Sequence, residues 1–373
     1  MAGNAAEASE DDRRFMAAAI RLSSSHVGLT STNPSVGALI VRDDGNGPVI
    51  VGQGVTAGGG RPHAEPQALR EAGERARGAT AYVTLEPCAH HGRTPPCAEA
   101  LVAAGVARVV GAAADPDPRV SGKGYAILRA AGIVVVERVL TDEAAEMMAG
   151  YLMRSIKKRP EVTLKLAISR DGKIGRIGAG QVPITGEIAR RQVHLMRARS
   201  DAILVGIGTV LADDPMLDCR LDGLTSRSPC RIVLDARARL PIGSKLAASA
   251  RKVPTFVAVS ADAAIARREA LEQAGVQFLA VKEVHGRVAL PELLKDLGDR
   301  GMATLMVEGG AETARHFLDG DLVDRIALFM GPAEIGADAV AAPVDADHIP
   351  SRFRQVGAAV FGADRYLEYI RKS

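Results

Sequence analysis

Short runs of Val, Ile, Leu and Ala alternate with amphipathic helical stretches along most of this chain, and the alternation breaks once, at Lys157-Lys158-Arg159-Pro160. Such alternation builds layered α/β domains, because each helix buries its apolar stripe against a sheet. A charged run ending in proline continues neither element, so it marks a boundary. At about 150 residues per domain, a chain of 373 residues holds two, read here as 10–150 and 160–373. With no Trp, five Tyr and seven Phe, both cores must be packed from small aliphatic side chains.

In the first half a helix is expected over 11–25, with Phe15, Ala19 and Leu22 on one face. Strands at 36–41 and 49–55 flank Asp43-Asp44-Gly45-Asn46-Gly47, which is hairpin chemistry. A helix follows Pro62 to about residue 76. Strands at 82–85, 108–113 and 133–137 then interleave with helices at 97–104 and 124–131. A hairpin followed by βα units predicts an α/β/α layered domain. Beyond the boundary, strands at 162–168, 202–205, 231–234, 255–259, 276–281, 304–307 and 325–330 alternate with helical stretches, one of them at 186–199. This is a second α/β domain.

Composition narrows the function. The 47 Lys+Arg and 44 Asp+Glu leave a net charge of +3, which is not the charge of a polyanion-binding protein. Scarce aromatics remove the base-stacking platform of a single-strand binder. No apolar run reaches the ~18 residues of a membrane span, and the acidic start carries no signal segment. The expected location is the cytoplasm, and the expected partners are small molecules rather than nucleic acid or membrane. Four cysteines are too few for a disulfide framework, and Cys88 and Cys97 lie beside histidines, which points to metal or catalysis.

His63-Ala64-Glu65 opens a predicted helix, and Pro87-Cys88 follows a predicted strand. A hydrolytic zinc site needs three protein ligands and one open position; His63, Cys88 and Cys97 supply one nitrogen and two thiolates. Glu65, two residues beyond His63, can reach a zinc-activated water without being a ligand and can carry its proton to a ring nitrogen and to departing ammonia. A histidine before a helix is commonly a cap, and two cysteines can be two buried thiols. Their joint order, H-x-E and then P-C, is the zinc deaminase signature. The usual spacing leaves two residues between the cysteines, whereas eight intervene here.

The run Glu86-Pro-Cys-Ala-His-His-Gly-Arg-Thr-Pro-Pro-Cys97 resembles the deaminase domain of the bifunctional riboflavin-biosynthesis enzymes, as do Asn33-Pro-Ser-Val-Gly37 and Asp115-Pro-Asp-Pro118. The resemblance implies a cytidine-deaminase-like domain that removes the 2-amino group of a diaminopyrimidinone bearing a phosphoribosylamino group. It also implies that Asn33 holds the pyrimidine and Arg93 the phosphate. Thr56 stands where the family often has His.

In the second half, Gly206-Ile207-Gly208 follows a strand, but Leu211 replaces the third glycine of a Rossmann fingerprint. Glu308-Gly309-Gly310 between strand and helix is a better phosphate approach. Leu164 to Lys173, Gly208 to Pro215 and Val307 to Gly310 resemble the matching blocks of the riboflavin reductase domain, which has a dihydrofolate-reductase-like α/β fold. The resemblance implies NADPH-dependent reduction of ribosyl to ribityl. Ala167, Thr209, Asp213 and the segment Gly310, Ala311, Glu312, Thr313, Ala314, Arg315 and His316 would touch the cofactor. Gln181, Arg197, Leu217, Arg220 and Glu308 would touch substrate, with Arg197 and Arg220 clamping its phosphate. Pro183 and Ala236 stand where the family commonly has Trp and Ser.

The expectation is therefore one zinc ion and one NADPH per chain, two consecutive reactions on one phosphorylated pyrimidine, and a homodimer or homotetramer. Two rival readings are a polynucleotide (tRNA-type) deaminase with an appended binding domain, and a structural zinc module that adds His90 or His91 as a fourth ligand.

Overall fold

The computed structural model describes residues 7–91, 95–176, 178, 180–284 and 286–372. It divides into two compact units, Met1–Lys157 and Lys158–Ser373.

The first unit begins with α1 (Glu10–Ser23). Ser9 caps it, accepting the Asp12 N–H while Asp12 accepts the Ser9 N–H, a reciprocal box that satisfies two otherwise unpaired donors. Asp12 is fully buried and takes a forked pair from Arg108 at 2.6 and 2.7 Å and the Tyr82 hydroxyl at 3.0 Å. Burial opposes its ionisation, but the Arg108 and Ser9 hydrogen bonds prevail and hold its carboxyl far below the usual range.

There follow β1 (Gly37–Asp43), β2 (Pro48–Val55), α2 (Ala64–Ala72), β3 (Thr80–Leu85), α3 (Cys97–Ala103), β4 (Arg108–Ala113), α4 (Lys123–Ala130), β5 (Val134–Val136), α5 (Thr141–Met147) and α6 (Ala149–Lys157). The sheet order is β2-β1-β3-β4-β5. The hairpin is antiparallel to β3, and β3, β4 and β5 are parallel. The helix expected from Pro62 to 76 starts only at Ala64, with His63 as its cap, and stops at Gly73, whose φ of 55° ends the αR run. The helices α5 and α6 were not delimited by the sequence pattern.

Backbone rests on backbone where α2 meets the hairpin. A Cβ built on Gly54 would lie 2.1 Å from the Ala64 carbonyl oxygen, and one on Gly52 would lie 2.2 Å from that of Ala68. On the opposite face, a Cβ on Gly37 would lie 2.1 Å from the Ala19 carbonyl of α1. Gly37 and Gly54 face opposite ways because Gly54 pairs with Ala38, the next residue of β1. The layering expected from sequence is thus fixed by glycines on two sides of one hairpin.

The second unit contains β6 (Glu161–Ile168), β7 (Lys173–Arg176), α7 (Glu187–Ala198), β8 (Ala202–Gly206), α8 (Ile207–Asp213), β9 (Cys230–Leu234), α9 (Lys245–Ala248), β10 (Thr255–Val259), α10 (Ile265–Gln273) and β11 (Gln277–Ala280). It continues with β12 (Glu283–Val284), β13 (Arg287–Val288), α11 (Leu290–Asp299), β14 (Thr304–Val307), α12 (Ala311–Asp319), β15 (Arg325–Met330), β16 (Ala339–Ala341), β17 (Phe353–Phe361) and β18 (Asp364–Arg371). Nine strands form one sheet in the order β11-β10-β9-β8-β14-β6-β15-β18-β17. It is parallel except for β18 and β17, a C-terminal hairpin that the sequence pattern did not delimit. Arg159, read as part of a charged break, is instead structural: it makes a forked pair with buried Asp324 at 2.6 and 2.8 Å, and Asp324 also accepts the Val162 N–H. This clasp fixes the entry into β6.

Substituting Gly54 by Ala should force α2 off the hairpin, because the obstructing atom is a carbonyl oxygen that cannot rotate away. Overpacking of this kind costs about 1–3 kcal/mol. Thermal denaturation should show the loss, and the metal content of the purified variant should fall with it, since His63 caps this helix.

Candidate functional sites in the two units

In the first unit, three elements deliver three ligand atoms. His63 caps α2, Cys88 follows β3, and Cys97 opens α3. His63 Nδ1 lies 3.4 Å from Cys97 Sγ and 3.7 Å from Cys88 Sγ, and all three donor atoms fall within 4.8 Å of one another. Tetrahedral zinc with Zn–S of ~2.3 Å and Zn–N of ~2.1 Å places neighbouring donors ~3.5–3.8 Å apart, so the set fits zinc. The Cys97 N–H donates to Cys88 Sγ at 3.2 Å. Hydrogen bonding from Cys97, aided by His63 and opposed by burial, pulls the Cys88 thiol down to about 4, which favours a thiolate ligand.

Glu65 stands outside this set. It is buried at 4% exposure on the first turn of α2, and burial, reinforced by the Cys88 charge, raises its pKa. Among the described residues the metal-ligating group holds neither His90 nor His91, and His91 instead approaches Glu99 at 3.4 Å on the surface. A fourth protein ligand is thus not assembled from these histidines. Asn33 lies against the loop leading to His63, since a Cβ on Gly60 would meet its Nδ2 at 2.1 Å. Arg93 lies outside the described residues. The Thr56 hydroxyl accepts the Val36 N–H at 2.9 Å, and its carbonyl is 2.7 Å from His26 Nδ1, so Thr56 serves the fold.

The second unit holds a cavity of about 1290 Å³. Ala167, Thr209, Asp213, Gly310, Ala311, Glu312, Thr313, Arg315 and His316 line it. Ala314 does not; its position on α12 turns it into the apolar core. The Thr209 hydroxyl accepts the Gly310 N–H at 3.1 Å, tying α8 to the start of α12. A Cβ on Gly208, which also lines the cavity, would meet no protein atom within 4 Å. Glycines and a helix N-terminus at strand ends make a cradle that fits a pyrophosphate.

Gln181, Leu217, Arg220, Arg197 and Glu308 also line the cavity. Leu217 sits at φ 54°. Arg197, expected from sequence at the substrate phosphate, is already paired within the cavity wall. Its Nε and Nη2 donate to the two Glu308 oxygens at 2.7 and 3.0 Å, and its Nη1 donates to the Asp218 carbonyl at 3.1 Å. Arg220 is exposed, with Asp218 at 3.5 Å and His194 at 3.5 Å.

Lys165 and His194 are among the cavity residues that the sequence did not single out. Lys165 Nζ lies 3.8 Å from Glu308, and burial lowers its pKa. His194, one turn before Arg197, is lowered by burial and then by Arg197 and Arg220. Burial works against the Glu308 charge, but Arg197 and Lys165 overcome it and bring its carboxyl down to about 2. Lys165 sits in an alternating strand, and its pairing with Glu308 across the sheet is not visible in the local pattern.

A model of the RibD C-terminal domain matches residues 160–367, and one of the cytidine and deoxycytidylate deaminase zinc-binding region matches residues 9–113. The riboflavin biosynthesis protein RibD of Escherichia coli (strain K12) is 41% identical over 339 residues, 88% of this chain and 89% of that protein. The chain belongs to the RibD family. RibD of Aquifex aeolicus is 40% identical over 327 residues, 88% of each chain. Among solved structures, Acinetobacter baumannii RibD superposes with a TM-score of 0.84 at 37% identity, covering 98% of this chain and 99% of that one. The Thermotoga maritima protein, described as a diaminohydroxyphosphoribosylaminopyrimidine deaminase and 5-amino-6-(5-phosphoribosylamino)uracil reductase, gives 0.82 at 32% identity over 97% and 99%. As a RibD, the chain is a bifunctional deaminase and reductase of riboflavin biosynthesis, its first unit cytidine-deaminase-like and its second dihydrofolate-reductase-like. The tRNA-type reading is not favoured. No helix among the described residues is long and apolar enough to cross a membrane.

Replacing Arg197 by Met should expose the charge balance at Glu308. Truncating one partner of a buried, hydrogen-bonded pair costs about 2–5 kcal/mol, so reductase kcat/KM should drop at least tenfold at pH 7. With Arg197 gone, burial raises the Glu308 pKa, and activity that needs the ionised form is lost at a higher pH than in the wild type. NADPH oxidation followed from pH 6 to 9 checks this; an unmoved acid limb would contradict it.

Proposed function

We propose that the two units act in succession on one phosphorylated substrate. The first hydrolyses the 2-amino group of 2,5-diamino-6-(5-phosphoribosylamino)pyrimidin-4(3H)-one, and the second reduces the resulting ribosylamino side chain to ribityl with NADPH. The observation that carries this reading is the His63–Cys88–Cys97 triangle with buried Glu65 beside it, joined in one chain to a cavity floored by Lys165, Glu308 and Arg197. The Thermotoga maritima protein, similar over nearly its whole length, is described by both activities.

Zinc, when bound, supplies the Lewis acidity that makes water a nucleophile near neutral pH. Glu65 takes the proton of the attacking water on its carboxylate and hands it to the ring nitrogen, then to the amine that leaves as ammonia. Its burial serves this exchange, because a raised pKa brings the carboxyl closer to the working pH. Asn33, held against the Gly60 loop, orients the pyrimidine.

NADPH, when bound, supplies the hydride. Reducing the ribosylamine takes up one hydride at C1′ and one proton at the ring oxygen that opens. Lys165 is the proton donor, since its Nζ reaches the cavity and burial weakens its hold on the proton. Glu308 stays ionised and offers acceptors to the sugar hydroxyls. Arg220 remains for the phosphate, a group that favours forked guanidinium donors. The chain is expected to work on small molecules in the cytoplasm, as a homodimer or homotetramer.

Two variants separate the units. Glu65→Gln should keep its zinc but lose ammonia release by ~10²- to 10⁴-fold, the usual worth of general acid–base assistance, while NADPH oxidation with the deaminated substrate continues. Zinc lost together with activity would make Glu65 a ligand. Arg220→Ala should lower reductase kcat/KM about ten- to a hundredfold through KM, as a hydrogen bond to a charged group is worth ~1.5–3 kcal/mol. An unchanged KM returns Arg220 to the solvated surface.

A further inference from the structure

The cavity of the second unit runs along the sheet. Lys165 stands on β6, Glu308 follows β14, Thr209 and Gly310 stand just beyond β8 and β14, and Leu234 and Ala236 stand at the end of β9. In the order β9-β8-β14-β6 these stations cover three strand spacings, about 14 Å. Lys165 and Glu308 would face the reducing ring of a bound dinucleotide, Thr209 and Gly310 would take its pyrophosphate, and the end of β9 would meet its far ribose.

At that end two elements each present an arginine to the cavity. Arg239 lies on the turn after β9, and Arg287 opens β13. The elements are joined: Arg237 Nη2, on the same turn, pairs with Glu283 Oε2 of β12 at 3.1 Å, and β12 pairs with β13. Arg239 and Arg287 are both exposed. Arg287 has no acidic partner among the described residues, and it lies near enough to His316 to help lower its pKa, after burial. Among the described residues the ion-pair partner of Arg239 is Asp235, Nε to Oδ1 at 3.4 Å.

Asp235 settles the sign of the site. An acid at a strand end that bonds a ribose 2′-hydroxyl selects NAD, whereas an arginine there accommodates the 2′-phosphate of NADP. Here the acid is withdrawn: Asp235 is 1% exposed, accepts the Leu240 N–H at 2.7 Å and does not line the cavity. Ala236 lines the wall in its place. The α12 side adds Arg315 and His316 and one carboxylate, Glu312.

We infer that Arg239 and Arg287 together hold the 2′-phosphate of NADPH and set its preference over NADH. The inference rests on NADPH as the reductant of this unit. The test is equilibrium binding by calorimetry, at fixed ionic strength, of adenosine 2′,5′-bisphosphate and of ADP to the full chain and to its Arg287→Ala and Arg239→Gln variants. Wild type should bind the 2′-phosphorylated probe about tenfold or more tightly than ADP. Each variant should lose most of that margin while its affinity for ADP stays within twofold. No margin in the wild type would defeat the NADPH reading itself. A margin that survives both substitutions would overturn the assignment of these arginines, as would an equal loss for both probes, which would place them at the pyrophosphate.

Discussion

Close approach of backbone to backbone is the constraint on which the first unit depends. With so few aromatic residues, its layers are separated by alanine and glycine, and α2 comes down on the hairpin until carbonyl oxygens occupy the space a side chain would take. The same device recurs behind Cys88: a Cβ on Gly124 would lie 2.0 Å from the Pro87 carbonyl oxygen, and Glu86 accepts the N–H groups of Gly122 and Gly124 at 3.0 Å each. Both sides of the metal triangle are therefore braced by main chain, which has no rotamers to change.

The second unit relies on buried charge. Arg231 is wholly buried on β9 and has no acidic partner among the described residues; it donates instead to Ser249, Thr255 and the carbonyls of Met216, Leu246 and Val253. Burial lowers its pKa to about 10, so it remains a cation at neutral pH. One of those carbonyls belongs to Met216, directly before the left-handed Leu217. Arg197 and Arg159 follow the same logic, each held by several hydrogen bonds, and Lys165 faces Glu308 at 3.8 Å.

Much of this was legible in the sequence where the signal is local. His63 and Glu65 are two residues apart and Cys88 follows a strand, so their chemistry can be read from spacing. The hairpin turn and the parallel strands were likewise local patterns. What stayed hidden depends on partners far along the chain. Lys165 and Arg197 both meet Glu308, more than a hundred residues away along the chain, and the Thr56 hydroxyl is taken by the Val36 N–H. The expected helix to residue 76 divides at Gly73, whose positive φ ends α2 and starts a 3-10 turn over Gly73–Ala76, a break that residue periodicity does not report. The C-terminal hairpin was missed because β17 buries only Phe353 and shows no alternation of buried and exposed positions, the pattern by which a half-buried strand is read.

The placement of His63 and Glu65 on one helix end bears on vibration rather than on statics. Any rigid excursion of α2 carries the imidazole and the carboxylate together, so the distance between them is insensitive to the breathing of the domain. The two cysteines, on separate elements, have no such protection. Thermal motion that separates α2 from its neighbours therefore changes the spacing of His63 to the sulfurs before it changes that of His63 to Glu65.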